Sequence, residues 1–135
     1  MIGQASTASP IDEPHGHGEI ILLVEDQPEV AEVAANMLDE LGYVVISASD
    51  ANEALAIIDS RDDIDLLITD VVMPGSLNGA DLALQARSKA GLKAILVTGF
   101  ADNAIPKGQF DRFDVLLKPF RMDELARRVR AAIDG

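Results

Sequence analysis

Short apolar runs alternate with stretches of helical spacing along most of the chain. Ile20–Val24 is an unbroken aliphatic run that ends at Glu25 and Asp26, as expected for a strand buried on both of its faces. Aliphatic residues then recur at helical spacing over residues 30–41, and Gly42 follows as a helix-ending residue. This block predicts a strand followed by a helix.

The alternation of strand and helix repeats to the end of the chain. Asp50 with Glu53 three residues later has the pattern of a capping box, and Asn78 is suited to capping a third helix. The last helix is predicted over residues 123–133. Four further apolar runs predict strands over residues 44–46, 66–68, 94–97 and 115–117. Strands that alternate with helices in this way predict an α/β fold with a parallel sheet.

Two segments do not follow the alternation. Residues 1–18 are rich in Ser, Pro, Gly and His without periodicity, which predicts a disordered tail or linker before a single domain over residues 19–135. Residues 102–113 lie between the fourth and fifth strands and contain Pro106 and Gly108. Proline removes a helical hydrogen bond and glycine adds backbone entropy, so a helix in this segment is predicted to be short or disordered.

Composition narrows the class of protein. The chain has 135 residues, 48% of them hydrophobic, which fits one domain with a packed core. Its formal net charge of -12 disfavours binding to nucleic acid or to anionic lipid. The chain has no cysteine for a disulfide or a thiolate site, and no apolar run is long enough for membrane insertion. A cytoplasmic protein is the prediction.

Polar side chains follow three of the predicted strands at their carboxyl ends. Glu25 and Asp26 follow the first strand, Asp70 follows the third, and Thr98 follows the fourth. Because sites in open α/β sheets lie beyond the carboxyl ends of the strands, these side chains are expected to converge. Three converging carboxylates repel one another, and oxygen ligands with open positions are those that Mg²⁺ prefers. The sequence therefore predicts a Mg²⁺ site that is completed by a phosphoryl group.

The residue after the fifth predicted strand is a lysine, Lys118, which precedes Pro119. Lys118 is in register with the other strand ends. This position favours its interpretation as a cation that contacts the phosphoryl group, rather than as an exposed loop lysine. Thr98 offers a hydroxyl for another phosphoryl oxygen. The Lys118–Pro119 bond is a candidate for the cis isomer.

The ordered set of these residues resembles the receiver domain of two-component response regulators. The resemblance covers residues 19–134. It implies a flavodoxin-like doubly wound fold, with five parallel strands in the order 2-1-3-4-5 and helices on both faces of the sheet. The motifs that carry it, each at a matching strand end, are Glu25-Asp26, Asp70 with Met73-Pro74, Thr98, and Lys118-Pro119-Phe120.

The resemblance implies a role for each matching residue. Asp70 matches the phosphoacceptor, a carboxylate nucleophile that takes the phosphoryl group of a phosphohistidine. Glu25 and Asp26 match the acidic pair that binds Mg²⁺ together with Asp70, and the backbone carbonyl of Val72 matches the position that completes the metal shell. Contacts to the phosphoryl group are implied for Thr98 and Lys118.

The implied partners are a histidine kinase or phosphotransfer protein as donor, and a downstream protein as target. Only Asp134 and Gly135 follow the last predicted helix, so output is expected through protein contacts. A single-domain regulator and the receiver of a hybrid histidine kinase both fit this expectation. No turnover reaction independent of the domain's own phosphorylation and dephosphorylation is expected.

Three positions depart from the common family pattern. Val115 replaces the aromatic residue that many receivers carry on the fifth strand, and Phe113 is predicted to lie on the same strand face. Thr98 is followed by Gly99-Phe100, which partly resembles an atypical subgroup that lacks the strand-five aromatic. Val72 is apolar where polar side chains are frequent. It cannot orient an attacking water, so slow to moderate self-dephosphorylation is predicted.

Three alternative functions are less consistent with the sequence. A small phosphatase with an aspartyl-phosphate intermediate typically has a second aspartate two residues after the nucleophile, where this chain has Val72. A flavodoxin-like nucleotide binder needs a glycine-rich phosphate loop after the first strand, where Glu25 and Asp26 stand. A pseudo-receiver that only binds partners would lack functional positions that are all filled here.

Overall fold

Five parallel strands form one sheet, described in a computed structural model over residues 15–73, 77–99 and 113–135. The spatial order is β2-β1-β3-β4-β5, and each pair of neighbouring strands is parallel. The predicted α/β fold and strand order are confirmed. The strands are β1 (Ile20–Val24), β2 (Val44–Ala48), β3 (Leu66–Asp70), β4 (Ala94–Thr98) and β5 (Asp114–Leu117). The helices in the described residues are α1 (Pro28–Glu40), α2 (Ala51–Ser60), α3 (Gly79–Ala90) and α4 (Met122–Asp134).

Helices cover both faces of the sheet over two separate hydrophobic clusters. One cluster lies beneath α2 and α3 and includes Leu67 and Leu82, while the other lies beneath α1 and α4 and includes Leu38 and Ile68. Leu67 and Ile68 are neighbours on β3 but belong to different clusters, because successive strand residues point to opposite faces. All five residues of β3 are buried. Burial on both faces explains the unbroken aliphatic runs of the central strands, and in β3 the run gives way to Thr69 and Asp70 at the carboxyl end.

The helix ends follow the predicted caps with one difference. The Asp50 side chain accepts the backbone N–H of Glu53 at 2.8 Å. The Glu53 carboxylate, however, accepts the backbone N–H of Ser49 at 2.7 Å, one residue earlier than a capping box requires. The start of α3 has the complete box, because Asn78 and Asp81 each accept the other's backbone N–H.

The segment just before β1 packs on the domain rather than belonging wholly to a tail. The backbone N–H of Gly16 donates to the Leu41 carbonyl at 2.6 Å, and that of Gly18 donates to the Gly42 carbonyl at 2.9 Å. The rest of the predicted tail, residues 1–14, lies outside the described residues. So does the helix predicted over residues 102–113, apart from Phe113.

None of the helices described here combines the length and the apolar character that crossing a membrane requires.

Candidate functional site

The carboxyl ends of β1 and β3 bring three carboxylates together. Glu25 and Asp26 directly follow β1, and Asp70 is the last residue of β3. One carboxylate oxygen of each residue lies within 4.8 Å of the others. Glu25 and Asp70 are buried while Asp26 is exposed, so the cluster can be reached from solvent. The structure thus brings together the three acids that the strand ends predict.

Lys118 places a positive charge between two of these acids. Its Nζ atom lies 2.9 Å from Oδ1 of Asp70 and 3.1 Å from Oε1 of Glu25. The other Glu25 oxygen accepts the backbone N–H of Gln27 at 3.1 Å, so this carboxylate is held on both sides. Because all three charged groups are largely buried, their mutual attraction is screened less than that of a surface pair.

Burial and neighbouring charge shift the pKa values in the cluster. Burial raises the pKa of Asp70 to about 6. The Lys118 ammonium opposes this rise, and the Glu25 carboxylate adds to it. The pKa of Lys118 is also raised, since its hydrogen bonds to Asp70 and Glu25 outweigh the opposing effect of burial. The lysine is therefore held charged beside Asp70, and a second cation in the cluster would favour the ionised, nucleophilic form of Asp70.

Thr98 and Lys118 lie next to each other at the ends of β4 and β5. The backbone N–H of Lys118 donates to the Thr98 carbonyl at 2.8 Å. The Thr98 side chain is buried, and its hydroxyl donates to the Gly99 carbonyl at 3.4 Å. The Lys118–Pro119 peptide bond is cis, as the sequence predicts. A hydroxyl and an ammonium are therefore available on the β4–β5 side of the acidic cluster.

The unusual positions of the sequence lie at the edge of this site and on β5. Val72 is two residues past β3 and is 54% exposed, so it presents an apolar side chain to solvent beside Asp70. Phe113 and Val115 both pack on the hydrophobic cluster beneath α2 and α3. Their predicted placement on one face of β5 is thereby confirmed. Pro74, part of a motif that resembles the family, and Phe100, part of a departure from the family pattern, lie outside the described residues.

Sequence reasoning does not identify Gly79, whose backbone lies against that of Asp70. A Cβ atom at position 79 would lie 1.9 Å from the Asp70 carbonyl oxygen, far inside van der Waals contact. The N–H of Gly79 donates to the Val71 carbonyl at 2.8 Å. A glycine in the first turn of a helix, directly after a capping residue, is the sequence signal that indicates such a close approach.

The Asp70 carbonyl that Gly79 approaches also accepts a hydrogen bond that the sequence does not predict. The Thr69 hydroxyl is fully buried and donates to this oxygen at 2.9 Å. A buried hydroxyl needs a hydrogen-bond partner, and here the partner is the backbone of the neighbouring acidic residue. Thr69 and Gly79 therefore both constrain the backbone that carries the Asp70 carboxylate.

Comparisons with known proteins agree with this geometry. A family model described as response regulator receiver domain matches residues 21–130, which span the acidic cluster and Lys118. The transcriptional regulatory protein CpxR of Klebsiella pneumoniae is 36% identical over 115 residues, which cover 84% of this chain and 48% of CpxR. The sensor kinase CckA of Brucella abortus is 32% identical over 118 residues, which cover 84% of this chain and 12% of the kinase. The chain spans about half the length of the curated transcriptional regulators that it matches.

A solved structure with a similar fold is that of the response regulator protein TrrA from Thermotoga maritima in complex with Mg²⁺-BeF. It superimposes with a TM-score of 0.74 at 32% identity, and the match covers 84% of this chain and 98% of TrrA.

Proposed function

The chain belongs to the response regulator receiver domain family, and from this premise we propose that it is a phosphoacceptor signalling domain in which Asp70 takes the phosphoryl group of a phosphohistidine. The observation that carries the proposal is the contact of the Lys118 ammonium with Asp70 at 2.9 Å, within a cluster of three carboxylates. A nucleophilic carboxylate, a fixed cation and an acidic metal site are the parts that phosphoryl transfer to an aspartate needs.

Asp70 acts as the nucleophile. One of its carboxylate oxygens attacks the phosphorus of the donor phosphohistidine, so an oxygen–phosphorus bond forms while the nitrogen–phosphorus bond breaks. The electron pair of the broken bond stays on the imidazole nitrogen of the donor. The product is an acyl phosphate on Asp70 and a histidine that is free of phosphate.

Lys118 and Thr98 stabilise the negative charge of the phosphoryl oxygens. The Lys118 ammonium already contacts Asp70, so an arriving phosphoryl oxygen meets a charge that needs little reorganisation. Thr98 lies beside Lys118 at the end of β4, where its hydroxyl can donate to a second phosphoryl oxygen after giving up its contact with Gly99.

The residues that would hold Mg²⁺ are Glu25, Asp26, Asp70 and the backbone carbonyl of Val72. Three carboxylates whose oxygens lie within 4.8 Å of one another form a donor set that fits this hard cation. When bound, Mg²⁺ neutralises charge on the phosphoryl group and on the acids around it. The exposure of Asp26 leaves the cluster open to a donor protein.

The proposed partners are a histidine kinase or phosphotransfer protein as donor and a downstream protein that distinguishes the phosphorylated form. We place this exchange in the cytoplasm, with residues 19–135 as the receiver unit and residues 1–18 as a connecting segment, of which residues 15–18 pack on the receiver. The excess of acidic side chains supports protein partners over nucleic acid. CckA-like and CpxR-like proteins place such a domain in a larger chain, so both arrangements are included in the proposal.

The test is incubation with acetyl phosphate and Mg²⁺, followed by intact mass spectrometry. The wild type is expected to gain one phosphoryl group, and Asp70→Asn is expected to gain none. Asp63→Asn is the matched control, because Asp63 is an exposed aspartate that pairs with Arg61, and it is expected to react like the wild type. Labelling of Asp70→Asn at the wild-type level, or no labelling of the wild type by either acetyl phosphate or a histidine kinase, would overturn the proposal.

A further inference from the structure

Residues 15–19 lead into β1 and are hydrogen-bonded to the chain at the amino-terminal end of β2. The Gly16 and Gly18 N–H groups donate to the carbonyls of Leu41 and Gly42 in the turn between α1 and β2. Glu19 extends the attachment, because its carbonyl accepts the backbone N–H of Val44 at 2.9 Å. We call residues 15–19 the clasp segment. These backbone hydrogen bonds join it to β2 and to the turn that follows α1.

Arg130, near the end of α4, connects the clasp segment to that helix. Its guanidinium lies 2.9 Å from Oε2 of Glu19 and donates to the His15 carbonyl at 3.2 Å. The same guanidinium holds Asp134 through two hydrogen bonds, at 2.8 and 3.0 Å. Arg130 thus contacts the first and the last residue of the clasp segment, and it also contacts the last turn of α4. The Arg130 side chain is only 19% exposed, which makes these charged contacts stronger than ordinary surface pairs.

The clasp segment also covers Tyr43, the single tyrosine of the chain. Tyr43 is 2% exposed, and a Cβ atom on Gly16 would lie 2.5 Å from its ring. A Cβ atom on Gly42 would lie 2.7 Å from the Gly16 carbonyl oxygen. Glycine at both positions is therefore what permits the segment to lie flat on the ring. Because the chain has no tryptophan, the fluorescence of Tyr43 reports on this cover.

The opposite end of α4 lies at the candidate phosphorylation site. Lys118 contacts Asp70, and α4 begins four residues later, at Met122. Phe120 and Leu125 line a cavity of about 20 Å³ together with Asp70 and Lys118. The helix α4 therefore borders, near its start, a cavity that Asp70 and Lys118 also line, and it bonds to the clasp segment near its end.

We propose that the clasp segment is a switch: its closed and open states are coupled through α4 to the state of the Asp70 site. The proposal rests on the proposed function, because the site's state is set by phosphorylation. Two of the five clasp residues are glycines, which lose much backbone entropy on ordering. The backbone hydrogen bonds and the Arg130 contacts offset that loss, so the segment can open locally at a lower free energy than global unfolding requires. By linkage, a site state that moves α4 changes the clasp, and a change at the clasp alters the site equally.

The first measurement tests the clasp by itself, without any phosphodonor. Amide hydrogen exchange of Gly16 and Gly18 is followed by NMR, and quenching of Tyr43 fluorescence by acrylamide is followed in parallel. In Arg130→Met, exchange at both glycines is expected to rise roughly tenfold, the factor that matches the loss of charge-assisted hydrogen bonds, and quenching is expected to increase. Arg127→Met is the matched control, since Arg127 is an exposed arginine that pairs with Asp123 on the same helix and has no described contact with the clasp segment. Unchanged exchange and quenching in Arg130→Met would overturn the proposal that Arg130 holds the clasp segment closed over Tyr43.

The second measurement tests the coupling. Addition of Mg²⁺ and beryllofluoride to the wild type is expected to change exchange at Gly16 and Gly18 by at least about fivefold, the lower end of ordinary coupling between sites. Arg130→Met is expected to change the rate of acetyl phosphate labelling of Asp70 by a similar factor, and Arg127→Met to leave it unchanged. The coupling would be overturned, and the proposed function kept, if the wild type were labelled normally but beryllofluoride did not change glycine exchange and Arg130→Met did not change the labelling rate. Absence of labelling in the wild type, with acetyl phosphate and with a kinase, would overturn both.

Discussion

The Lys118 ammonium lies 2.9 Å from the Asp70 carboxylate, although the two residues are at the ends of different strands. β5 is an edge strand and β3 is central, with β4 between them. The lysine therefore reaches across the end of β4 and contacts both Asp70 and Glu25. This contact sets the charge balance of the site, because one ammonium faces three carboxylates.

Replacement of Asp70 by Asn is expected to stabilise the metal-free fold at neutral pH. The pKa of Asp70 is raised to about 6 in the folded protein, chiefly by burial, so the folded state holds this proton more tightly than the unfolded state. The stability that this group contributes is present below pH 4 and is lost as the pH rises through about 6. After allowance for screening by solvent, the charged carboxylate thus costs on the order of 2 kcal/mol at pH 7.

Urea unfolding of the wild type and Asp70→Asn at several pH values checks this prediction. The free energy of unfolding of the variant is expected to exceed that of the wild type by about 2 kcal/mol at pH 7, and the difference is expected to vanish near pH 4. Mg²⁺ is expected to reduce the difference at pH 7, since the proposed metal site needs the ionised carboxylate. An Asp70→Asn protein that is less stable than the wild type at pH 7 without Mg²⁺ would contradict the assignment.

Replacement of Lys118 by Met is expected to lower both stability and phosphorylation. The change leaves Glu25 and Asp70 buried without their cation, which is expected to cost on the order of 2 kcal/mol at pH 7. The rate of acetyl phosphate labelling is expected to fall at least about a hundredfold, the loss typical for removal of one electrostatic contact to a transition state. Binding of Mg²⁺ is expected to persist, because its carboxylate ligands remain.

The control for this variant is Lys89→Met. Lys89 pairs with Asp59 at 3.6 Å on the surface, and such pairs contribute less than about 1 kcal/mol. Urea unfolding measures the stability, intact mass spectrometry measures the labelling rate, and calorimetry measures Mg²⁺ binding. If Lys118→Met were labelled as fast as Lys89→Met, Lys118 would have no role in phosphoryl transfer.

The fold and the acidic cluster could be predicted from the sequence because both depend on strand ends. A buried parallel strand needs an unbroken aliphatic run, and the residue that breaks the run marks the carboxyl end. Glu25 stands at such a break and Asp70 comes one residue after the break at Thr69, so their convergence follows from the topology of the sheet. The position of Lys118 after β5 could be predicted in the same way. Its simultaneous contact with Glu25 and Asp70 could not, because that contact depends on side-chain conformation.

Contacts made through the backbone could hardly be predicted from the sequence. The approach of Gly79 to the Asp70 carbonyl is a packing distance, and a single glycine gives only a weak indication of it. Residues 15–18 have the composition of a linker, yet Gly16 and Gly18 donate backbone hydrogen bonds to the turn after α1. The His15 carbonyl accepts a hydrogen bond from Arg130, more than a hundred residues later in the chain. Periodicity does not encode such contacts, since they use no apolar face.

Replacement of Gly79 by Ala is expected to displace the backbone of Asp70 or the start of α3. The new methyl group would lie 1.9 Å from the Asp70 carbonyl oxygen, and overpacking of this kind costs about 1–3 kcal/mol. Labelling by acetyl phosphate is expected to slow, because small displacements of a nucleophile reduce its rate strongly. Thermal unfolding and labelling rates check the two effects.

Gly91→Ala is the matched control for Gly79→Ala. Gly91 has a φ of 66°, and a methyl group added there would have no described neighbour within 4 Å. Alanine at this position is therefore strained by about 1 kcal/mol without touching the site. It is expected to lower the unfolding temperature while leaving the labelling rate at the wild-type level. Equal labelling rates in the two variants would show that the contact of Gly79 with Asp70 does not position the carboxylate.

Replacement of Val72 by Asn is expected to shorten the lifetime of phosphorylated Asp70. Val72 is 54% exposed and lies two residues after Asp70, so its side chain can reach solvent beside the acyl phosphate. Valine offers no group that can orient an attacking water, whereas asparagine supplies both a donor and an acceptor. The phosphorylated protein is isolated, acetyl phosphate is removed, and the loss of one phosphoryl group is followed by mass spectrometry. The exposed Val33 on α1 provides the control Val33→Asn, for which the wild-type lifetime is expected. A wild-type lifetime of only seconds that Val72→Asn does not shorten would contradict the role assigned to this position.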